Sequence, residues 1–310
     1  MRTLACFVAA GMLALSASAA NAETAAYGEA FDTLYRIDLV GQTAAEIGSA
    51  GFYGSQRIGN LSGLSYSLDD ELYAVVGGMN ALSKIDPSSG DATIVGSFGL
   101  TGQGDPQRND ALDLGMTFSC DGTLWLVSAY AGKLWTVNPQ TGATTLVGNT
   151  GHTITGIVAL GNTLFGAGGR DDNTFYRINT DTGAATAIGS FGDAPTTWIN
   201  SVSMSFDEKG TLWAVLNYVP PAPGSVSVPD WSDLAKINVA TGEITIVGPI
   251  IGPESLSQVG MKGFTVGPPR CQAGAGTAIT TPVGSPPWLA GLAALLVALA
   301  GWTLRRRAIR

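Results

Sequence analysis

Asp105, Asp110 and Asp113 fall within nine residues of one another, and Asp171 and Asp172 stand side by side further along the chain. Loop carboxylates are hard oxygen donors, the type that Ca2+ takes, so Asp105, Asp110 and Asp113 make a possible calcium site. Their spacing matches no named calcium motif, and solvated loop acids are the plainer alternative. Nothing else in the chain requires a cofactor. Trp198, with Asn200 two residues on, Tyr218 and Trp231 add aromatic and amide groups that stack on sugars or grip a peptide; anchoring loops against a rim explains the rings equally well. His152 is the only histidine, which removes histidine-rich metal centres and weakens any Ser/His/Asp proposal. Its setting, Asn149-Thr150-Gly151-His152, reads as a solvated connection.

A repeat must position these residues. Five copies of one pattern run through the chain: Ile37-Asp38 with Gly41 and Ile47-Gly48, Ile85-Asp86 with Gly90 and Val95-Gly96, Val137-Asn138 with Gly142 and Val147-Gly148, Ile178-Asn179 with Gly183 and Ile188-Gly189, and Ile237-Asn238 with Gly242 and Val247-Gly248. The turn glycines are 49, 52, 41 and 59 residues apart, the length of a four-stranded propeller blade and too long for a helical or leucine-rich repeat. Asp or Asn closing a strand, followed by a polar turn and glycine, suits a type I turn ending at positive φ. Asp86, Asn138, Asn179 and Asn238 therefore read as turn residues that bond their own backbone.

Blade two illustrates the reading, with strands at 63–67, 71–77, 81–86 and 91–97. The wholly apolar runs Leu72-Tyr73-Ala74-Val75-Val76 and Leu124-Trp125-Leu126-Val127 suit strands buried between sheets. The N-terminal copy supplies only three strands, at 25–30, 34–38 and 43–48, while a lone inner-strand pattern follows the fifth blade at 260–266. Pairing these completes blade one and leaves no open edge. The expected fold is thus all-β: a five-bladed β-propeller of four-stranded blades, closed three strands plus one.

Two insertions break the period, at 98–112 and 218–231, and both open on the face where inner strands begin. Leu61, Asp113, Thr153 or Thr155, and Ser201 stand at comparable starts of inner strands, with Gln258 before the fifth. A glycosidase needs two carboxylates flanking one bond, and only one acid is found there. Several acids, or an acid with Arg and Tyr, converging on the channel mouth would favour an enzyme; a mouth of Asn, Ser, Thr and Gln would favour binding.

The two chain ends supply an address. Residues 1–22 carry one charge, Arg2, an apolar run and small residues at Ser18-Ala19-Ala20-Asn21-Ala22, the form of a cleaved signal peptide. After a propeller over 23–268, residues 269–285 are rich in Gly, Ala, Thr and Pro and read as a flexible linker. In the tail, 286–310, residues 288–304 are uncharged and long enough to enter the inner membrane, and Arg305, Arg306 and Arg307 should hold their end in the cytoplasm. Removing Arg2 and the four tail arginines from 16 basic residues leaves 11 against 24 acidic, about −13 for the exported part. That charge disfavours nucleic acid as a partner. Cys120 and Cys271 remain after the signal peptide with its Cys6 is removed; they either pair or stay as two thiols.

Leu34-Tyr35-Arg36-Ile37-Asp38 and Phe175-Tyr176-Arg177-Ile178-Asn179 resemble the blades of bacterial secreted propeller proteins. The tail is similar to a C-terminal sorting signal of exosortase type, of the IPTL or PEP-CTERM-like class: a short motif, a membrane span and an Arg cluster. Pro282, Ser285 and Trp288 match the Pro, Ser and Trp of a Pro-Thr-Leu-Ser-x-Trp motif with one extra residue and without its Leu. This resemblance implies an exosortase-type processing enzyme as a partner, and export to the cell surface or beyond. The expected role is a binding or structural module with a glycan or protein ligand; the alternative is a propeller hydrolase or lyase acting on polysaccharide.

Overall fold

The computed structural model describes residues 26–193, 195–218, 231–252, 260–267 and 271. The signal segment 1–22, the linker apart from Cys271, and the tail with its sorting motif lie outside the described residues. No helix among those described is long and apolar enough to cross a membrane.

Five four-stranded antiparallel sheets make five blades. Blade one holds β1 (Ala26–Ala30), β2 (Thr33–Asp38) and β3 (Thr43–Ser49). A small hairpin, β4 (Phe52–Tyr53) with β5 (Gln56–Arg57), leads to blade two: β6 (Leu61–Tyr66), β7 (Leu72–Val76), β8 (Ala81–Ile85) and β9 (Ala92–Ser97). Blade three is β10 (Leu114–Phe118), β11 (Leu124–Ser128), β12 (Lys133–Val137) and β13 (Thr144–Asn149). Blade four is β14 (Ile154–Leu160), β15 (Thr163–Gly168), β16 (Thr174–Ile178) and β17 (Ala185–Ser190). Blade five is β18 (Ser201–Phe206), β19 (Leu212–Asn217), β20 (Ser232–Ile237) and β21 (Ile244–Pro249).

The closing strand, β22 (Gly263–Val266), pairs with β1, Gly263 opposite Glu29, and completes blade one as the repeat requires. It is shorter than the expected 260–266. Met261 instead takes hydrogen bonds from blade five: its N–H donates to Ser232 Oγ at 2.9 Å, and its carbonyl accepts from Asn217 Nδ2 at 2.9 Å. That leaves Lys262 at the strand's start, on the mouth side.

The Val/Ile-Gly dipeptides have a structural cause. In every blade the register of the outermost pair slips at this point, so that Ile47, Val95, Val147, Ile188 and Val247 are each the extra residue of a β-bulge. The bulge packs each of these side chains against a cluster shared by two neighbouring blades, and five such clusters fill the five inter-blade spaces.

The turns behave as read. Asp86 Oδ1 accepts from the Ser88 N–H at 2.8 Å, Asn138 Oδ1 from Gln140 at 2.9 Å, Asn179 Oδ1 from Asp181 at 2.8 Å and Asn238 Oδ1 from Ala240 at 3.0 Å. Gly90, Gly142, Gly183 and Gly242 all have positive φ. Blade one corrects the alignment by one residue: Gln42, at φ 55, holds the left-handed position expected of Gly41. Ring closure repeats the same contact at each junction. Ala92, Ala185 and Ile244 donate their N–H to Ala50, Thr150 and Phe191 of the blade before, and Ala44 donates to Ile251 across the closure. At the junction of blades two and three the Thr144 hydroxyl takes this role, donating to Phe98 O at 2.8 Å.

Cys120 and Cys271 are joined, with Cα atoms 5.4 Å apart. The bond ties the chain just past β22 to the hairpin between β10 and β11.

Candidate functional site

Each inner strand begins at the same face, and the residue just before it reaches the channel mouth. These residues are Asn60, Asp113, Thr153, Asn200 and Lys262. The sequence alignment ran one residue late in two blades: Leu61 and Ser201 are the first residues of their strands and are buried. Gln258 lies outside the described residues, and the fifth position belongs to Lys262.

Asp113 is the centre of the mouth. Its Oδ2 is ion-paired with Arg170 Nη2, and its Oδ1 accepts from Lys262 Nζ at 3.0 Å. Arg170 comes from the connection after β15, and its Nε donates to Asn200 Oδ1 at 3.1 Å. The Asp113 carboxylate of blade three thus joins Arg170 of blade four to Lys262 before the closing strand, and Arg170 extends the cluster to Asn200 of blade five. Burial alone would raise the Asp113 carboxyl, but the charges of Lys262 and Arg170 overcome it and hold it below the ordinary range. Asp113 therefore stays ionised and is no proton donor at neutral pH.

Beside this cluster lies a cavity of about 540 Å³, walled by Asn60, Asn80, Arg108, Tyr130, Arg170 and Lys262 among others. The Tyr130 ring contacts two cations, the Arg170 guanidinium 4.3 Å and the Arg108 guanidinium 4.9 Å from its centroid. Ten described non-glycine residues have positive φ, and Asn60, Asn80, Asn109, Asp110, Asp113 and Arg170 all line this cavity. Asn and Asp enter that region at modest cost, but Arg does so rarely. Strained backbone gathered in one place, held by surrounding structure, is a mark of a functional site.

The expected acids are placed differently from one another. Asp110 accepts from the N–H groups of Gly102 and Gly104, at 2.6 and 2.7 Å. Asp105 caps the 3-10 turn Pro106–Arg108 by accepting from Gln107 N at 2.9 Å, and pairs with Arg108 at 3.3 Å. These two acids shape the long loop, while Asp113 is engaged by Arg170 and Lys262. Among the described residues no group of three or more His, Cys, Asp or Glu gathers as a metal ion would need. Asp172 accepts from the Tyr176 hydroxyl at 2.6 Å, with half-exposed His152 3.8 Å away, and Asp171 is exposed.

Of the aromatic candidates, Tyr218 is buried and its hydroxyl donates to Asp233 Oδ2 at 2.9 Å, so it is a core anchor and offers no stacking face. The Trp231 carbonyl accepts from Tyr218 N–H at 2.9 Å, closing the base of the insertion. Trp198 is half-buried, two residues before the mouth residue Asn200, and does not line the Asp113 cavity. The sequence reading missed Arg170, Lys262, Tyr130, Arg108 and Asn80. The adjacency of Arg170 to Asp171 was the one available signal; Lys262 was hidden inside an apparently continuous strand.

No family model matches the sequence, and no curated protein matches it. Solved structures similar to it include a protein of unknown function from Bacteroides thetaiotaomicron, at 12% identity and TM-score 0.45, covering 62% of this chain and 53% of that one. A chain of a nidogen/laminin complex matches at 14% identity and TM-score 0.48, covering 80% of this chain and 99% of that one. Virginiamycin B lyase from Staphylococcus aureus matches at 16% identity and TM-score 0.41, covering 74% and 71%. Identities this low bring no activity to the chain.

Proposed function

We propose that this is an exported binding module that takes an extracellular ligand, glycan or protein, at the mouth of its channel. One observation carries the reading: six left-handed residues and the Asp113 ion cluster converge on a single cavity. Export is supported by the signal-like N-terminus, the acidic balance and a disulfide, which suits an oxidising compartment. The tail supports a precursor held on the periplasmic side of the inner membrane through 288–304, then processed by an exosortase-type enzyme and released to the surface. Ca2+ remains a proposal for a ligand at the loop acids, with the oxygens of Asp171 the freest of them.

A second reading, an extracellular lyase or hydrolase acting on polysaccharide, is favoured by the meeting of Asp113 with Arg170 and Tyr130. A glycosidase with paired carboxylates is not supported, because the one mouth carboxylate is tied to two cations.

Glycan-array binding by the exported protein tests the first reading. Thr101 is an exposed residue on the cavity wall, so Thr101→Trp should obstruct the mouth without disturbing a blade. Binding to a defined glycan class, lost in Thr101→Trp, is expected. Binding undiminished by the substitution would place the ligand elsewhere, and product release from the bound glycan would favour the enzyme.

A further inference from the structure

The ligand's chemistry can be read from what the cavity wall leaves unsatisfied, given the mouth as the binding site. Among the described residues, five buried side-chain atoms have no hydrogen-bond partner: both Glu29 carboxylate oxygens, Ser201 Oγ, Asn80 Oδ1 and Arg170 Nη1. The last two belong to residues that line the same cavity. One is an acceptor without a donor, the other a charged donor without an acceptor, and burying either unpaired is costly. The guanidinium has used its Nη2 on Asp113 and its Nε on Asn200, so Nη1 is the arm left over.

Charge narrows the class. Asp113 contributes one negative charge against the positive charges of Arg170 and Lys262, leaving one net positive charge at the floor. Arg108 is offset by Asp105, and Asp110 keeps its negative charge but turns both oxygens to backbone N–H groups, so the positive excess is local to Arg170 and Lys262. Two carboxylates on one sugar ring would press one of them against Asp113, whereas a single carboxylate on the docked ring matches the excess. A cavity of about 540 Å³ suits a ligand of one to a few sugar rings.

We infer that the mouth recognises an acidic saccharide, a sugar with one carboxylate per ring, one such carboxylate docking on Arg170 and Lys262 while a hydroxyl donates to Asn80. Both orphan atoms are closed off from solvent, so binding requires the side-chain ends of Asn80 and Arg170 to turn toward the ligand. The amide of Asn80 turns about a broad terminal torsion, which lets its oxygen meet an incoming hydroxyl at small cost. A carboxylate accepts a charge-assisted bond from the guanidinium, the stronger of the two contacts.

Calorimetric titration of the exported, disulfide-bonded protein with trigalacturonate, its methyl ester, neutral galactotriose and monomeric galacturonate tests the inference. The acid should bind at least about tenfold more tightly than the ester, an advantage that shrinks at high salt. Monomer binding as tight as the trimer's would identify a free sugar acid as the ligand, and tighter trimer binding a polymer; both agree with the inference. Arg170→Gln should abolish the advantage of acid over ester. Asn80→Gly, which keeps the left-handed backbone without strain, should weaken acid and ester alike. Should Arg170→Gln fail to fold, Lys262→Met and Asn80→Gly carry the test. Equal affinity for acid and ester, both lost in Thr101→Trp, would overturn the acid specificity and leave the mouth as the binding site. Failure of every saccharide here and on the array would overturn both, and acid binding indifferent to Arg170→Gln and Asn80→Gly would overturn the inference alone.

Discussion

Gly142, in the turn of blade three, lies against Gly96, the bulge glycine of blade two: a Cβ added to Gly142 would stand 2.5 Å from the Gly96 carbonyl oxygen. The relation is reciprocal, since a Cβ on Gly96 would run into the Thr141 carbonyl. Gly90 meets Gly48, Gly183 meets Gly148 and Gly242 meets Gly189 in the same way, while Gly248 meets Gln42 across the ring closure. The two glycine marks of the sequence repeat are therefore the two halves of one inter-blade contact.

Gly142→Ala should cost more than its left-handed φ alone demands. Gly122 has φ +83 and nothing near its absent Cβ, so Gly122→Ala isolates the conformational penalty, roughly 1–2 kcal/mol. Gly142→Ala should add about 1–3 kcal/mol for forcing two blades apart. Urea unfolding of both variants measures the difference, and equal losses would show that the glycines do not interlock.

Glu29 is the odd residue of the core. Facing Leu34, it takes the place that Val75, Val127, Ala167 and Val215 take opposite Leu82, Leu134, Phe175 and Leu234. Burial without a partner pushes its carboxyl well above the ordinary range. The folded state thus keeps this proton to higher pH than the unfolded state, and its stabilising effect is lost as pH rises above the usual carboxylate value of about 4.3. Glu29→Gln should raise the melting temperature at neutral pH and change it little in mild acid. A Glu29→Gln protein less stable at neutral pH would show that the ionised carboxylate has a role.

The disulfide closes a sequence separation of 151 residues and secures the closing strand. Reduction, or Cys120→Ser with Cys271→Ser, should destabilise by about 2–5 kcal/mol. Calorimetric melts with and without reductant measure it, and an unchanged melting temperature would mean that the β1–β22 pairing alone holds the ring shut.

The ring was legible because its signals are local. Asp86, Asn138, Asn179 and Asn238 bond residues two positions ahead, and a blade's period is set by turns that repeat. The mouth was only partly legible. Asp113 stood out as a lone acid at a strand start, but its partners lie 57 and 149 residues away. Arg170 sits in a connection whose length differs from blade to blade, and Lys262 looks like strand until the bonds of Met261 to blade five end the pairing early. Tyr218 misled for the opposite reason: an aromatic beside an insertion reads as surface, yet Asp233 satisfies its hydroxyl and lets the ring be buried.

Amide hydrogen exchange of the disulfide-bonded protein, with and without saturating trigalacturonate, tests most directly whether the mouth is where this protein does its work. The account predicts added protection in 77–80, 101–113 and 169–172, the segments that wall the cavity, and none in the turns at 86–90 and 138–142 on the opposite face. Protection confined to those turns, or unchanged exchange around Asp113 and Arg170 while ligand is bound, would contradict it.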